Sequence, residues 1–146
     1  MKKIILTLAI AAASLQLFAA DPGKVSERIQ NNFNKTFKNA QDVSWSSYTD
    51  YYEVKFKQND IKVNIMYDLD GNVVRTLRYY YGDQLPVMVM AKVRSKYSQQ
   101  KIYAVVEESS SEGTQYNITL EDGQHWYKVT ANDLGEFSDA RVFKKA

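Results

Sequence analysis

Between residues 51 and 81 the chain alternates apolar and polar positions with a period of two. Tyr52, Val54 and Phe56 alternate with Glu53 and Lys55, and Ile61, Val63, Ile65 and Tyr67 alternate with Lys62, Asn64 and Met66. Successive side chains of a strand point to opposite faces, so each run predicts a strand with one apolar face. The polar segment Lys57-Gln58-Asn59-Asp60 predicts the turn between them. Closed as a four-residue loop, it sets Phe56 opposite Ile61, Val54 opposite Val63 and Tyr52 opposite Ile65, all on one face. A third strand follows over residues 73–79, after Asp68-Leu69-Asp70-Gly71-Asn72. The Asp-Gly pair suits the positive φ of a hairpin turn. A two-residue Asp70-Gly71 turn and a longer loop with a bulge at Gly71 both fit this pattern, and they turn different residues of the third strand inward.

Elsewhere the apolar period is helical. Val25, Ile29, Phe33 and Phe37 recur every four residues, with Ala40 beyond them and Glu27, Arg28, Asn31 and Lys35 on other faces. This predicts an amphipathic helix. Leu85-Pro86 opens a second helix, where proline suits the first turn, and its stripe runs through Val89, Val93 and Tyr97 with Met90 beside it. Short strands are expected at Asp42-Val43-Ser44-Trp45 and over residues 102–107. The β-type pattern then returns at an offset of 64 residues. Tyr52-Glu53-Val54-Lys55-Phe56 maps onto Tyr116-Asn117-Ile118-Thr119-Leu120, Val63 onto Tyr127, Gly71 onto Gly135 and Tyr79 onto Phe143. The expected fold class is therefore α+β, built of two tandem repeats of helix plus antiparallel β-meander. The repeats would span about residues 24–81 and 84–146 within one domain, 21–146, their sheets side by side or merged.

The first twenty residues change the reading of charge and compartment. Lys2 and Lys3 precede an apolar run from Ile4 to Ala13, and small residues surround Ala19 and Ala20. This is the pattern of a cleaved secretory signal peptide over 1–20, and the run is short for a stable membrane anchor. The whole chain has 19 Lys and Arg against 17 Asp and Glu. Losing Lys2 and Lys3 with the signal leaves seventeen of each sign. Nucleic acid, which needs a net or clustered positive surface, is not an expected partner. With no cysteine, the chain cannot be a lipoprotein and holds neither disulfide nor thiolate metal site, so the periplasm or the outside of the cell is expected.

A family resemblance rests on Phe33-x-x-x-Phe37-x-x-Ala40-x-x-Val43-x-Trp45, Tyr52-x-Val54-x-Phe56, Tyr67-Asp68-x-Asp70-Gly71, Leu85-Pro86-x-x-Val89, Lys96-Tyr97 and Ile102. With this spacing the chain resembles the PepSY-like, β-lactamase-inhibitor-like (BLIP-like) secreted proteins of Gram-negative bacteria. The resemblance covers nearly all of the expected mature chain. It implies a periplasmic domain with a BLIP-like/PepSY-like fold that presents a sheet face to a partner. Its motifs are structural, so no family site residue is carried over.

Candidate chemistry is sparse. His125 is the single histidine and is expected at a strand start, and no serine lies in a Gly-x-Ser-x-Gly elbow. An EF-hand loop beginning at Asp68 would need glycine where Val73 stands and glutamate where Tyr79 stands. No catalytic residue, metal ligand or cofactor is therefore expected, and the chain is not expected to be an enzyme. The candidate binding residues are aromatic. In a strand, Tyr79, Tyr80 and Tyr81 cannot all face one core, and Trp45, Tyr48 and Tyr51 could join whichever of them reaches solvent. Tyrosine brings rigid area with a polar tip, which suits a protein interface. The expected function is a non-catalytic module whose sheet face contacts an envelope or secreted protein, with inhibition as one possible consequence. The alternative is a small molecule, peptide or cell-wall fragment held in a cleft between the repeats.

Overall fold

The four-residue apolar period at the start of the domain folds as α1 (Glu27–Thr36) in the computed structural model, which describes residues 24–146. The signal-peptide expectation for residues 1–20 lies outside the described residues. Val25, Ile29 and Phe33 turn inward, and the Arg28 guanidinium donates to the Asp70 carbonyl, tying the helix to a turn of the sheet below. The second stripe folds as α2 (Val87–Lys96), entered through Pro86. Its Val89 and Val93 are completely buried. Among the described residues no helix is long and apolar enough to cross a membrane.

Eight strands carry the rest: β1 (Gln41–Ser47), β2 (Tyr51–Gln58), β3 (Ile61–Asp68), β4 (Val73–Tyr80), β5 (Lys101–Ser110), β6 (Gly113–Glu121), β7 (His125–Asn132) and β8 (Phe137–Lys144). They hydrogen-bond in chain order into one antiparallel sheet. The β2–β3 register differs from the expected one by two residues. Phe56 pairs with Val63, Val54 with Ile65 and Tyr52 with Tyr67, because the chain reverses over Asn59 and Asp60 alone. Both adopt positive φ, the geometry of a two-residue hairpin turn, and pairing Gln58 with Ile61 satisfies backbone groups that a four-residue loop would leave open. A shift of two keeps every side chain on its face, so the same apolar surface is buried.

The β3–β4 connection resolves in favour of the longer loop. Asp68 N–H donates to the Asn72 carbonyl at 2.9 Å, Gly71 sits at φ +85°, and a register shift lies between Met66 and Tyr67. The Asp68 carboxylate accepts from both the backbone and side-chain nitrogens of Asn72 at 2.8 Å, which holds its pKa below the usual range. In the β7–β8 turn Asn132 performs the same closure, its Oδ1 accepting from Leu134 and Glu136 N–H at 3.0 and 2.9 Å. An amide oxygen serves the turn as well as a carboxylate, so the acidic residues of the first turn are a matter of geometry.

The expectation of two tandem helix-plus-meander repeats is corrected by the sheet itself. β4 and β5, assigned by the sequence reading to different units, pair continuously from Arg75↔Ser110 to Tyr80↔Val105. The result is one eight-stranded antiparallel sheet with two short helices lying on it. The physical reason is that the last strand of a free-standing meander would expose unpaired N–H and C=O groups along its edge, and pairing β4 with β5 removes both edges at once. By register, both helices lie on the same face. Ile65 pairs with Thr76, and Thr76, Arg78 and Tyr80 alternate along β4 until Tyr80 pairs with Val105 beneath α2. Under α1 the core contains Phe33, Tyr52, Val54, Phe56, Ile65 and Tyr67. Under α2 it contains Val89, Val93, Val105, Ile118, Leu120 and Val129. Each buried side chain of this size contributes roughly 1.5–3 kcal/mol. Ile61 packs against both groups.

Candidate functional site

The sheet has one face under the helices and one open face. Alternation assigns the open face to Glu53, Lys55, Asn64, Met66, Arg75 and Leu77 in the first four strands, and to Asn117, Thr119, Trp126, Lys128, Arg141 and Phe143 in the last ones. Tyr48, Tyr79, Tyr103 and Phe143 are large side chains that remain exposed. Tyr48 stacks on Tyr51 with ring centroids 4.4 Å apart and planes 16° from parallel. At the other end, Tyr103 meets Trp126 edge-on at 4.9 Å, Lys145 lies 4.4 Å over the Trp126 ring, and Lys128 lies 5.6 Å over Phe143. Ion pairs cross the face between them: Lys55–Glu53 at 3.1 Å, Arg75–Glu108 at 3.4 Å and Arg141–Asp139 at 3.0 Å. Glu53 beside Lys55 raises the lysine pKa, so its charge is held across the physiological range.

The six aromatic residues singled out from sequence do not form one patch. Tyr48 and Tyr51 stack together, whereas Tyr79 pairs with Lys62, six positions along β3 from the Asp68 that pairs with Tyr51. That separation is about 20 Å along a strand. Tyr81 lies just past β4 and is highly exposed. Trp45 and Tyr80 point to the helix side. Trp45 packs against Phe33 at 5.3 Å and Tyr67 at 6.0 Å, and Tyr80 is buried under α2. Sequence reasoning did not single out Tyr103, Trp126 and Phe143. The signal for Trp126 was present, because Tyr127, Val129 and Ala131 form the inward set of β7 and leave Trp126, Lys128 and Thr130 on the other face.

On the helix side, the strip of sheet between the two cores is polar. The Arg78 Nη1 donates to both oxygens of Glu107 at 2.9 Å, and the Tyr80 hydroxyl donates to Glu107 Oε2 at 2.7 Å. Ser109 and Thr114 share a hydrogen bond of 3.0 Å nearby. Burial, and then the bond to Glu107, push the Tyr80 phenol far above its ordinary pKa, so it stays a donor. Burial also raises Tyr116. Beside this strip, on the flank of α1, lies a cavity of about 410 Å³. Its walls are mostly apolar, from Phe33, Phe37, Phe56, Val63, Ile65 and Tyr67, with Arg78 and Thr76 on the floor and Thr36 on the helix.

His125 begins β7, where the sequence placed it, and its Nδ1 lies 3.4 Å from Asp122. The carboxylate is engaged in closing the β6–β7 turn. Its oxygens accept from the Gln124 and His125 N–H groups and from the Tyr127 hydroxyl at 2.6 Å. The Tyr127 bond is the main reason that the Asp122 pKa falls to about 2. The arrangement is that of a capped turn.

No family model matches the sequence, and no curated protein is similar to it at the sequence level. Solved structures are similar in fold. A BLIP-like protein from Bacteroides fragilis superimposes with a TM-score of 0.63 at 19% identity, covering 84% of this chain and 89% of that one. A predicted periplasmic protein from Bacteroides eggerthii gives 0.63 at 18% identity, over 82% and 90%. A DUF2874 family protein from Bacteroides ovatus gives 0.62 at 21% identity, over 82% and 88%. The chain therefore has a BLIP-like fold, and at these identities the likeness concerns the fold alone.

Proposed function

We propose that this chain is a non-catalytic binding module of the bacterial envelope, which presents the open face of its sheet to a protein partner. The observation that carries the reading is the open face itself. Among the described residues nothing covers it, and it exposes Tyr48, Tyr79, Tyr103 and Phe143 among paired charges. Rigid aromatic area with polar tips, set among satisfied ion pairs, is the composition of a protein-binding surface. The periplasmic or secreted setting is supported by the description of the Bacteroides eggerthii neighbour and by the signal-like start of the sequence, and the PepSY-like spacing belongs to the same reading. Inhibition of a secreted hydrolase is one consequence that such contact can have.

The test is photo-crosslinking in the periplasm with a reactive amino acid placed at Tyr79 or Tyr103, and at Thr36 on the helix side as a control. The reading predicts one specific adduct from the sheet positions, and the adduct from position 79 is lost in Tyr103→Ala/Phe143→Ala with unchanged thermal stability. Adducts only from the helix-side position would overturn it.

A further inference from the structure

We propose that the cavity beside α1 is a binding site for a small monocarboxylate with an apolar tail, such as a medium-chain acyl carboxylate. The site lies on the helix side, so it is independent of the open face and of any partner held there.

The cavity volume of about 410 Å³ is within the range of small-ligand pockets. Its apolar wall is a set of aromatic rings already locked by one another. Phe33 lies 5.0 Å from Phe56 and 5.1 Å from Phe37, and Phe37 lies 4.9 Å from Phe56. Such rings do not relax into the space, and water within it would meet carbon on most sides. An apolar tail would displace that water at little cost.

The head group is fixed by charge. Among the described residues that line the cavity, Arg78 is the one cation and none is a carboxylate. Glu107, its ion-pair partner, stands on β5 outside the lining, and both of its bonds are made by Nη1. The Nε–H and Nη2–H groups of the guanidinium form the other edge of the fork, the edge suited to a bidentate carboxylate. The Thr76 hydroxyl stands on the same floor of β4. Glu107 also holds the Tyr80 hydroxyl, so its own charge is satisfied from two sides and its repulsion of a second carboxylate is reduced.

The experiment uses the domain with Trp126→Phe, so that emission reports only Trp45, which packs on Phe33 and Tyr67 in the cavity wall. Octanoate, decanoate and dodecanoate are titrated beside dodecanol and dodecylamine. The site predicts saturable one-to-one binding that strengthens with chain length, with the carboxylate about tenfold tighter than the alcohol and the amine excluded. Arg78→Gln should remove that preference and leave alcohol binding in place. Thr36→Phe, a bulky ring at an exposed helix position at the mouth that adds no second tryptophan, should block every ligand even if Arg78→Gln folds poorly. No saturable carboxylate binding, or carboxylate binding that survives Thr36→Phe unchanged, would overturn the proposal.

Discussion

The two cores beneath the helices are built of different materials. Under α1 the centre is a ring cluster, with Phe33 touching Phe37, Trp45 and Phe56 within 5.3 Å. Under α2 it is aliphatic: Val89, Val93, Val105, Ile118 and Leu120 are at most 1% exposed. Branched aliphatic side chains interdigitate and fill the space between a helix and a sheet. Aromatic rings are few, large and rigid, and meet at tilted or edge-on angles that leave volume beside them. The cavity is found on the flank of the aromatic core. On the helix side of the sheet, the packing of these rings leaves the room beside α1.

The largest effect should come at the centre of the ring cluster. Phe33→Ala is expected to cost about 3–5 kcal/mol in chemical denaturation, because it removes three ring contacts at once. Leu120→Ala in the aliphatic core should cost about 2–5 kcal/mol. The two residues belong to separate clusters, so the double variant should fall within about 0.5 kcal/mol of the sum. A coupling several times larger would show that the two cores act as one.

Glu107→Gln acts on the polar strip between them. It removes the carboxylate that accepts from Arg78 and Tyr80 and should cost about 1–3 kcal/mol. The sign of the alkaline effect follows from the raised Tyr80 pKa. Above pH 10, the ordinary phenol value, the unfolded chain loses this proton while the folded one keeps it, so stability falls as pH rises. Glu107→Gln should ionise Tyr80 at lower pH and weaken that fall, which ultraviolet titration and unfolding at high pH can measure.

The two loop glycines offer a finer contrast. Gly71 under α1 and Gly135 under α2 both have positive φ, and alanine in either should cost about 1–2 kcal/mol. Gly135→Ala should cost more. Its Cβ would meet Lys92 Cγ at 2.7 Å and the Met88 carbonyl at 3.3 Å, whereas at Gly71 the nearest atom is Ile29 Cγ1 at 3.0 Å. Thermal melts of the pair would reverse the comparison if Gly71→Ala proved the more damaging. The smallest effect is confined to acid. Asp122 has a folded pKa of about 2 against the ordinary carboxylate value of 3.8, so its contribution is present above pH 4 and is lost as pH falls toward 2. Acid unfolding of Asp122→Asn should lack that part of the decline.

Period and turn chemistry in the sequence were enough to specify the buried stripes of both helices and the parity of β2 and β3. These depend on which side of an element a residue faces, a local property. The pairing of Val54 with Ile65 was not legible, because a two-residue and a four-residue turn bury the same face and differ only in backbone geometry at Asn59 and Asp60. Nor was the union of β4 with β5, since a pattern that recurs in sequence is silent about which edges hydrogen-bond to each other. The aromatic residues show the same division. Sequence required that Tyr79, Tyr80 and Tyr81 separate, and tertiary structure sent Tyr80 to Glu107, Tyr79 to the open face and Tyr81 to solvent. Trp45 joined Phe33 in the α1 core, and Tyr103 met Trp126 on the far side of the sheet. A surface or a cavity is assembled from residues distant along the chain, so its position follows from packing.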